Sequence, residues 1–173
     1  VTSTVEDAPV AVHRKTETGE LVMDLEKADI SEIVANGWKA PEVFVAKGRD
    51  GKTDMWGIII RPTNFDPSKK YPILEYIYSG PGDHYVPKSF FSFNRYMSAI
   101  AELGFIVVQV DCMGTSYRSK EFEEVCYKNL KDAGIPDRKL WIKAAAEKYP
   151  HMDIDRVGIF GCTAGGPEAT TAR

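Results

Sequence analysis

The chain has 173 residues, with 22 basic and 25 acidic side chains, so its formal net charge is −3. This length is typical of one domain with room for a hydrophobic core. A hydrophobic fraction of 43% and a charged fraction of 27% exclude a disordered, collagen-like or disulfide-rich protein. The mild acidity gives no electrostatic reason to expect nucleic acid as a partner.

No membrane span or metal site is predicted either. The longest apolar run, 55–60, is far shorter than the roughly 20 residues that a membrane-spanning helix needs. The three cysteines include no C-x-x-C pair, so neither a disulfide framework nor a zinc site is indicated. Cys112, Cys126 and Cys162 are therefore predicted to be free thiols.

Both ends of the sequence look cut from a longer protein. The chain begins at Val1 rather than at Met, and residues 1–12 lack the basic and apolar regions of a signal peptide. Residues 165–173 contain no closing strand. We therefore expect that the sequence is part of a larger chain.

The first third of the chain predicts two antiparallel hairpins. Residues 10–24 read as two extended stretches around a turn at 18–20. Residues 29–36 predict one or two helical turns that end at Gly37. An alternating segment, a tight turn and a β-rich run predict a second hairpin over 42–61.

The remainder alternates apolar runs with helical patterns. Strands are predicted at 73–78, 105–110 and 157–160, the last two as buried strands. Helical spacing over 93–103 and over 136–149 predicts two helices between them. The order predicts an α/β fold in which an antiparallel N-terminal hairpin leads into a mostly parallel sheet with flanking helices.

A glycine-rich turn, Gly-Cys-Thr-Ala-Gly-Gly at 161–166, follows the last predicted strand. A phosphate-binding loop would need Lys and a hydroxyl residue after Gly166, where the sequence has Pro and Glu, and a dinucleotide-binding turn would need Gly in place of Thr163. The turn fits the nucleophile elbow G-x-S-x-G, with Gly161 and Gly165 as its glycines, except that Thr replaces Ser.

Thr163 leaves two interpretations of this turn open. An elbow holds its central residue in strained backbone geometry, which a β-branched side chain tolerates poorly. The threonine methyl group also lies where an acyl carbon would have to approach. The turn is either a small-residue connection that allows close packing, or an elbow with an altered nucleophile.

Four segments of the sequence, in order, resemble the prolyl oligopeptidase family of serine peptidases, and in particular its dipeptidyl-peptidase branch. They are 47–53, 70–82, 111–117 and 153–161. Each segment is short, but their order and spacing match the family from about residue 20 to the end of the sequence.

The resemblance implies a fold, a reaction and a set of site residues. Residues 1–40 would be the tail of an upstream β-propeller-like domain with its crossover, and residues 41–173 a truncated α/β-hydrolase catalytic domain. Thr163 takes the position of the nucleophilic serine, Ala164 would supply one oxyanion-hole N–H, and the Tyr78 hydroxyl would supply the other donor. The implied reaction is hydrolysis of short peptides by acyl transfer, without a metal or organic cofactor.

The sequence also departs from the family beyond Thr163. Cys112 stands where this loop of the family usually has Gly, and Pro167 enters the first turns of the helix after the elbow. Ala164 replaces an aromatic residue that lines the proline pocket in some members. A preference for proline is therefore not carried over to this chain.

The sequence does not supply a complete catalytic triad. In α/β-hydrolases the acid and the histidine follow the nucleophile, whereas His13, His84 and His151 all precede Thr163. Glu168 is too close to the elbow to be the acid of a distant loop. Because a hydroxyl without a base is a poor nucleophile, we predict that these residues alone do not hydrolyse peptides.

Three functions remain open at this point. The first is a portion of a prolyl-oligopeptidase-type peptidase, with a peptide as its substrate and with no nucleic acid or membrane span. The second, which Thr163 favours, is a catalytically dead hydrolase-like module that binds peptides or partners, and the third is an α/β-hydrolase esterase. A sheet that stops beside Gly161 leaves an open edge, which predicts marginal stability or assembly into a homo-oligomer.

Overall fold

The computed structural model describes residues 1–91, 96–132 and 134–172. Position 93, where the predicted helix over 93–103 begins, lies outside these ranges. The elements are β1 (Val10–Arg14), β2 (Leu21–Lys27), α1 (Ser31–Ala35), β3 (Glu42–Lys47), β4 (Asp54–Ile60), β5 (Tyr71–Tyr76), α2 (Met97–Glu102), β6 (Ile106–Asp111), α3 (Lys120–Glu124), α4 (Ile135–Lys148), β7 (Met152–Phe160) and α5 (Gly165–Thr171).

Five of the strands form one mixed sheet in the order β3-β4-β6-β5-β7. Strands β3 and β4 are the antiparallel hairpin predicted over 42–61, and β4 also pairs antiparallel with β6. Strands β6, β5 and β7 run parallel to one another. Strands β1 and β2 form a separate antiparallel ribbon. These pairings confirm the predicted α/β class, with a hairpin that leads into parallel strands.

Helices cover both faces of the sheet. On one face, Val108 of β6 belongs to the same buried cluster as Trp141 of α4, and on the other face Val107 packs in a cluster with Met97 of α2. All six residues of β6 are buried, which explains the continuous apolar run at 105–110. The predicted burial of this strand is confirmed.

Strand β7 differs from the prediction of a buried strand at 157–160. It begins earlier, at Met152, and lies at one edge of the sheet, where it pairs with β5 within the described ranges. Ile154 and Val157 are 46% and 45% exposed. The expectation of burial was wrong because an apolar sequence does not reveal which strand forms the edge. The open edge expected beside Gly161 is this strand.

Arg49 ties the turn between β3 and β4 to the start of α4. Its guanidinium donates hydrogen bonds to Asp132 at 2.6 and 2.8 Å and to Asp137 at 2.8 to 3.1 Å. The Asp137 side chain is completely buried, and Arg49 is the cation paired with it. The hydrogen bonds from Arg49 lower the pKa of Asp132, although partial burial of the carboxylate acts in the opposite direction.

We predict that Arg49→Gln destabilises the fold at pH 7 by about 2 kcal/mol, because it leaves a buried carboxylate without its cation. The lowered pKa of Asp132 means that the folded chain binds fewer protons than the unfolded chain. The resulting stability is present above the unfolded pKa of about 3.9 and is lost as pH falls through the folded pKa. Thermal unfolding between pH 7 and pH 3 should therefore show a flatter acid dependence in the variant than in the native chain.

Lys120→Gln is the control for this prediction, because Lys120 and its partner Glu124 are both well exposed. Its melting temperature should follow the native chain at each pH. Equal acid dependence in Arg49→Gln and the native chain would contradict the assigned role of Arg49.

Candidate active site

Residues 161–166 form a sharp connection from β7 into α5, with Thr163 at its tip. Thr163 has a φ of +50°, in the left-handed region that residues other than glycine rarely adopt. A β-branched residue is especially unusual there. This is the strained strand-to-helix geometry that exposes the nucleophile in an elbow.

Close packing of backbone against backbone explains the glycines of this turn. A Cβ atom on Gly161 would lie 2.6 Å from the carbonyl oxygens of Ile77 and Gly165. A Cβ atom on Gly165 would overlap the same Ile77 carbonyl oxygen. Because these obstacles are backbone atoms, they cannot move aside without disturbing the sheet. The packing supports the prediction that both positions need glycine.

The hydroxyl of Thr163 lies directly against that of Tyr78. Tyr78 comes two residues after β5 and is separated from Thr163 by 85 residues in the sequence. The Thr163 hydroxyl donates a hydrogen bond of 2.7 Å to Tyr78 Oη. The structure thus brings together the predicted nucleophile position and the predicted oxyanion donor.

Ala164 is the N-cap residue of α5, and its N–H is one of the first amide groups of the helix. Such groups have no acceptor within the helix itself. Ala164 and Tyr78 line the same open cleft of about 430 Å³, together with Tyr85, Pro167 and Glu168. Pro167 is the third residue of α5, where a helix tolerates proline.

A buried carboxylate fixes the loop that packs against Tyr78. Asp111, at the end of β6, accepts hydrogen bonds from the backbone N–H groups of Tyr85 at 2.8 Å and Val86 at 3.1 Å. Its other oxygen accepts a hydrogen bond of 2.7 Å from Lys88 Nζ. The Tyr85 ring lies 4.5 Å from the Tyr78 ring, between centroids. Asp111 therefore fixes the backbone position of Tyr85, the residue whose ring packs against Tyr78.

Beneath Tyr78 lies a buried ion pair between Glu75 of β5 and Arg138 of α4. Both side chains are at most 3% exposed, and Arg138 Nη2 also donates to the Tyr78 carbonyl at 3.4 Å. Burial is the largest single effect and acts to lower the pKa of Arg138, but the charge and hydrogen bond of Glu75, together with the charges of other neighbouring groups, raise it overall. The guanidinium therefore stays charged.

The sequence prediction missed this pair, although a signal was present. Arg138 precedes Trp141, Ile142 and Ala145 at the spacing of one helix face, so a charge falls on the stripe that faces the core. Glu75 likewise interrupts an apolar strand. Two opposite charges at buried positions of neighbouring elements predict an ion pair, because an isolated buried charge is very costly.

Two of the three histidines have partners away from the elbow. The Nδ1 atom of His84 lies 3.3 Å from Asp83, and its ring packs edge-on against Tyr117. His13 lies on β1, opposite Met23 of β2.

His151, in the loop between α4 and β7, packs against Phe65 with ring centroids 4.7 Å apart. Partial burial and the charge of Arg61 lower the pKa of His151, which favours the neutral ring. In the part of the chain that the structure describes, no histidine is hydrogen-bonded to the Thr163 hydroxyl. None of the three is therefore placed to take its proton.

The three cysteines are free thiols, as predicted. Cys112 and Cys126 are buried, and burial raises the pKa of the Cys112 thiol. Cys162 is exposed beside the elbow, with its Sγ atom 3.8 Å from the Tyr76 hydroxyl.

Over the residues described, no three His, Cys, Asp or Glu side chains lie close enough together to hold a metal ion. The same residues include no helix with the length and apolar character needed to cross a membrane.

Comparison with known proteins defines the class. Residues 91–172 match the model of the prolyl oligopeptidase family. Mouse dipeptidyl peptidase 8 is 30% identical over 165 residues, which cover 95% of this chain and 18% of that protein. A Bacteroides ovatus protein assigned as a dipeptidyl aminopeptidase IV superposes with a TM-score of 0.82 at 29% identity, covering 98% of this chain and 24% of that one.

Dipeptidyl peptidase 4 of Porphyromonas gingivalis has the same fold, with a TM-score of 0.78 at 24% identity over 99% of this chain and 24% of that one. The fold is thus a partial α/β-hydrolase. The chain belongs to the prolyl oligopeptidase family. It spans less than a quarter of the length of each of these three relatives.

The backbone contact at the elbow predicts a sharp difference between neighbouring glycines. Gly165→Ala should destabilise the chain by about 3 kcal/mol, because its methyl group would overlap the Ile77 carbonyl. Gly166→Ala is the matched control, since the nearest heavy atom to its Cβ would be 3.9 Å away. Urea unfolding measures both, and equal stability of the two variants would contradict the packing argument.

Proposed function

We propose that this chain is a portion of a serine-type peptidase of the prolyl oligopeptidase family that hydrolyses short peptides by acyl transfer, with Thr163 at the nucleophile position. The observation that carries the proposal is the hydroxyl of Thr163, held at a φ of +50° and 2.7 Å from the hydroxyl of Tyr78. A strained elbow residue facing a fixed hydroxyl donor is an arrangement suited to acyl transfer.

The proposed domain division places the tail of an upstream β-propeller-like domain and its crossover at 1–40, and the catalytic domain from residue 41 onward. The β1–β2 ribbon supports this division because it forms a sheet of its own. The five-stranded sheet begins with β3 at Glu42.

In the proposed reaction, the Thr163 oxygen attacks the carbonyl carbon of the scissile bond. The carbonyl oxygen then becomes an oxyanion, which the Tyr78 hydroxyl and the Ala164 N–H stabilise. Each such donor contributes on the order of 3 kcal/mol to the transition state. Because Tyr78 Oη accepts the hydrogen bond from the Thr163 hydroxyl, the Tyr78 proton stays available for the oxyanion. The oxyanion then collapses, the scissile C–N bond breaks, and the amine leaves with the proton that was taken from Thr163. Water later attacks the acyl ester, which releases the acid and restores the Thr163 hydroxyl.

Turnover also needs a base for the Thr163 proton. The described contacts of His13, His84 and His151 are with residues other than Thr163. A hydroxyl without a base is a weak nucleophile. We therefore propose that the 173 residues alone are inactive, and that the base and the acid of an active enzyme are supplied by other residues.

A second candidate is a catalytically dead module that binds peptides in the cleft beside Tyr78. The observation in its favour is the β-branch of Thr163 at a positive φ, which adds a methyl group beside the attacking oxygen. The two candidates differ in what happens when that methyl group is removed.

We expect Thr163→Ser in the natural gene product to increase kcat/KM for dipeptide 4-nitroanilides by about tenfold, because about 1.4 kcal/mol of steric cost in the transition state disappears. Thr163→Ala should abolish hydrolysis. Thr170→Ser, which makes the same substitution within α5, should leave the rate unchanged.

The assay should use several residues at the position before the scissile bond, and a small aryl ester as well. The 173-residue chain alone should show no hydrolysis above the buffer rate. A folded Thr163→Ser gene product that is inert towards every peptide and ester would overturn the peptidase proposal and favour the binding module. Hydrolysis of the ester alone would identify an esterase.

A further inference from the structure

Two charged side chains from different elements bind residues 78 and 79. Arg138 of α4 donates to the carbonyl oxygen of Tyr78 and is itself paired with Glu75. Glu168 of α5 accepts a hydrogen bond of 2.6 Å from the hydroxyl of Ser79. The segment that carries the oxyanion candidate is thus attached both to the core helix and to the helix that follows the elbow.

The Glu168 carboxylate is turned inward. Its Oε2 atom is buried and has no hydrogen-bond partner among the described residues, and Ser79 is 4% exposed. A carboxylate oxygen in such a position is costly unless a positive charge compensates for it. The charge of Glu168 contributes to the raised pKa of the buried Arg138, so the two charges attract each other. The hydrogen bond from Ser79 is the attachment that holds the carboxylate.

This arrangement connects two parts of the site that lie on different elements. Thr163 belongs to the turn before α5, whereas Tyr78 belongs to the loop after β5. The backbone contact of Gly165 with Ile77 fixes the start of α5, and the Ser79 hydrogen bond adds a second fixed point one turn further along the helix. With two fixed points, both the distance of the loop after β5 from α5 and its orientation relative to that helix are set.

We propose that Glu168 is a positioning residue, which acts through Ser79 to hold the Tyr78 hydroxyl against Thr163. This inference rests on the proposed roles of Tyr78 and Thr163 in catalysis. Its geometric part, the dependence of the Tyr78 position on Glu168, holds whether or not the protein hydrolyses peptides.

The test compares Glu168→Ala, Ser79→Ala, their double variant and Glu168→Gln in the natural gene product. The amide oxygen of Gln can still accept the Ser79 hydrogen bond, so Glu168→Gln is the conservative substitution. Arg138 is unsuitable for the test, because removing one partner of a fully buried ion pair endangers folding. Glu147→Ala, at the exposed end of α4, is the control, and thermal melts establish that each variant is folded.

The first measurement does not depend on activity. A single 3-fluorotyrosine at position 78 gives one ¹⁹F resonance, and Thr163→Val shows where it lies when the Thr163 hydroxyl is absent. We expect Glu168→Ala, Ser79→Ala and the double variant to shift or broaden this resonance alike. Glu168→Gln and Glu147→Ala should leave it unchanged.

The second measurement is kinetic and uses the Thr163→Ser background. Loss of the hydrogen bond between Ser79 and Glu168 should lower kcat about tenfold with KM unchanged, since the Tyr78 donor acts on the transition state. The double variant should lose no more than either single variant, because the two residues act as one unit.

A Tyr78 resonance that moves in Thr163→Val but not in the alanine variants would overturn the positioning role. Equal losses of kcat in Glu168→Gln and Glu168→Ala would contradict the claim that Glu168 acts through its hydrogen bond with Ser79. If no variant hydrolyses any substrate, the proposed function fails, while the resonance still decides whether Glu168 positions Tyr78.

Discussion

The candidate site depends on one contact, in which the backbone of the elbow touches the carbonyl oxygen of Ile77. No side chain fits at Gly161 or Gly165, so β7 and α5 can approach the end of β5 as closely as their main chains allow. That approach brings Thr163 within hydrogen-bond distance of Tyr78. The chemistry of the site therefore rests on packing between main chains.

The strain at Thr163 follows from the same contact. A positive φ at a β-branched residue persists only when the surrounding structure leaves no alternative. Here the turn is fixed before Thr163 by the close packing at Gly161 and after it by the close packing at Gly165. The elbow consequently keeps its shape with threonine at its tip.

Much of the fold could be predicted from local patterns. Turn residues and alternation identified both hairpins, and the apolar run of β6 reflected a strand covered on both faces. The burial of β7 was not predictable, because its position at the edge depends on the order of strands in the sheet. Thr163 was found from the elbow motif, but Tyr78 only from the family resemblance. The contact of Ser79 with Glu168 joins residues 89 positions apart, and neither has a motif of its own.

The structure also separates the reactivity of the site from its architecture. The glycines of the elbow, the donor at Tyr78 and the charges beneath it depend on groups other than the side chain at position 163. Replacing serine by threonine adds one methyl group and keeps the hydroxyl, so it can impair attack on a carbonyl while the elbow remains intact. For this reason the threonine by itself decides neither for a peptidase nor for a binding module: the same architecture would serve both, and only the response to removing the methyl group distinguishes them.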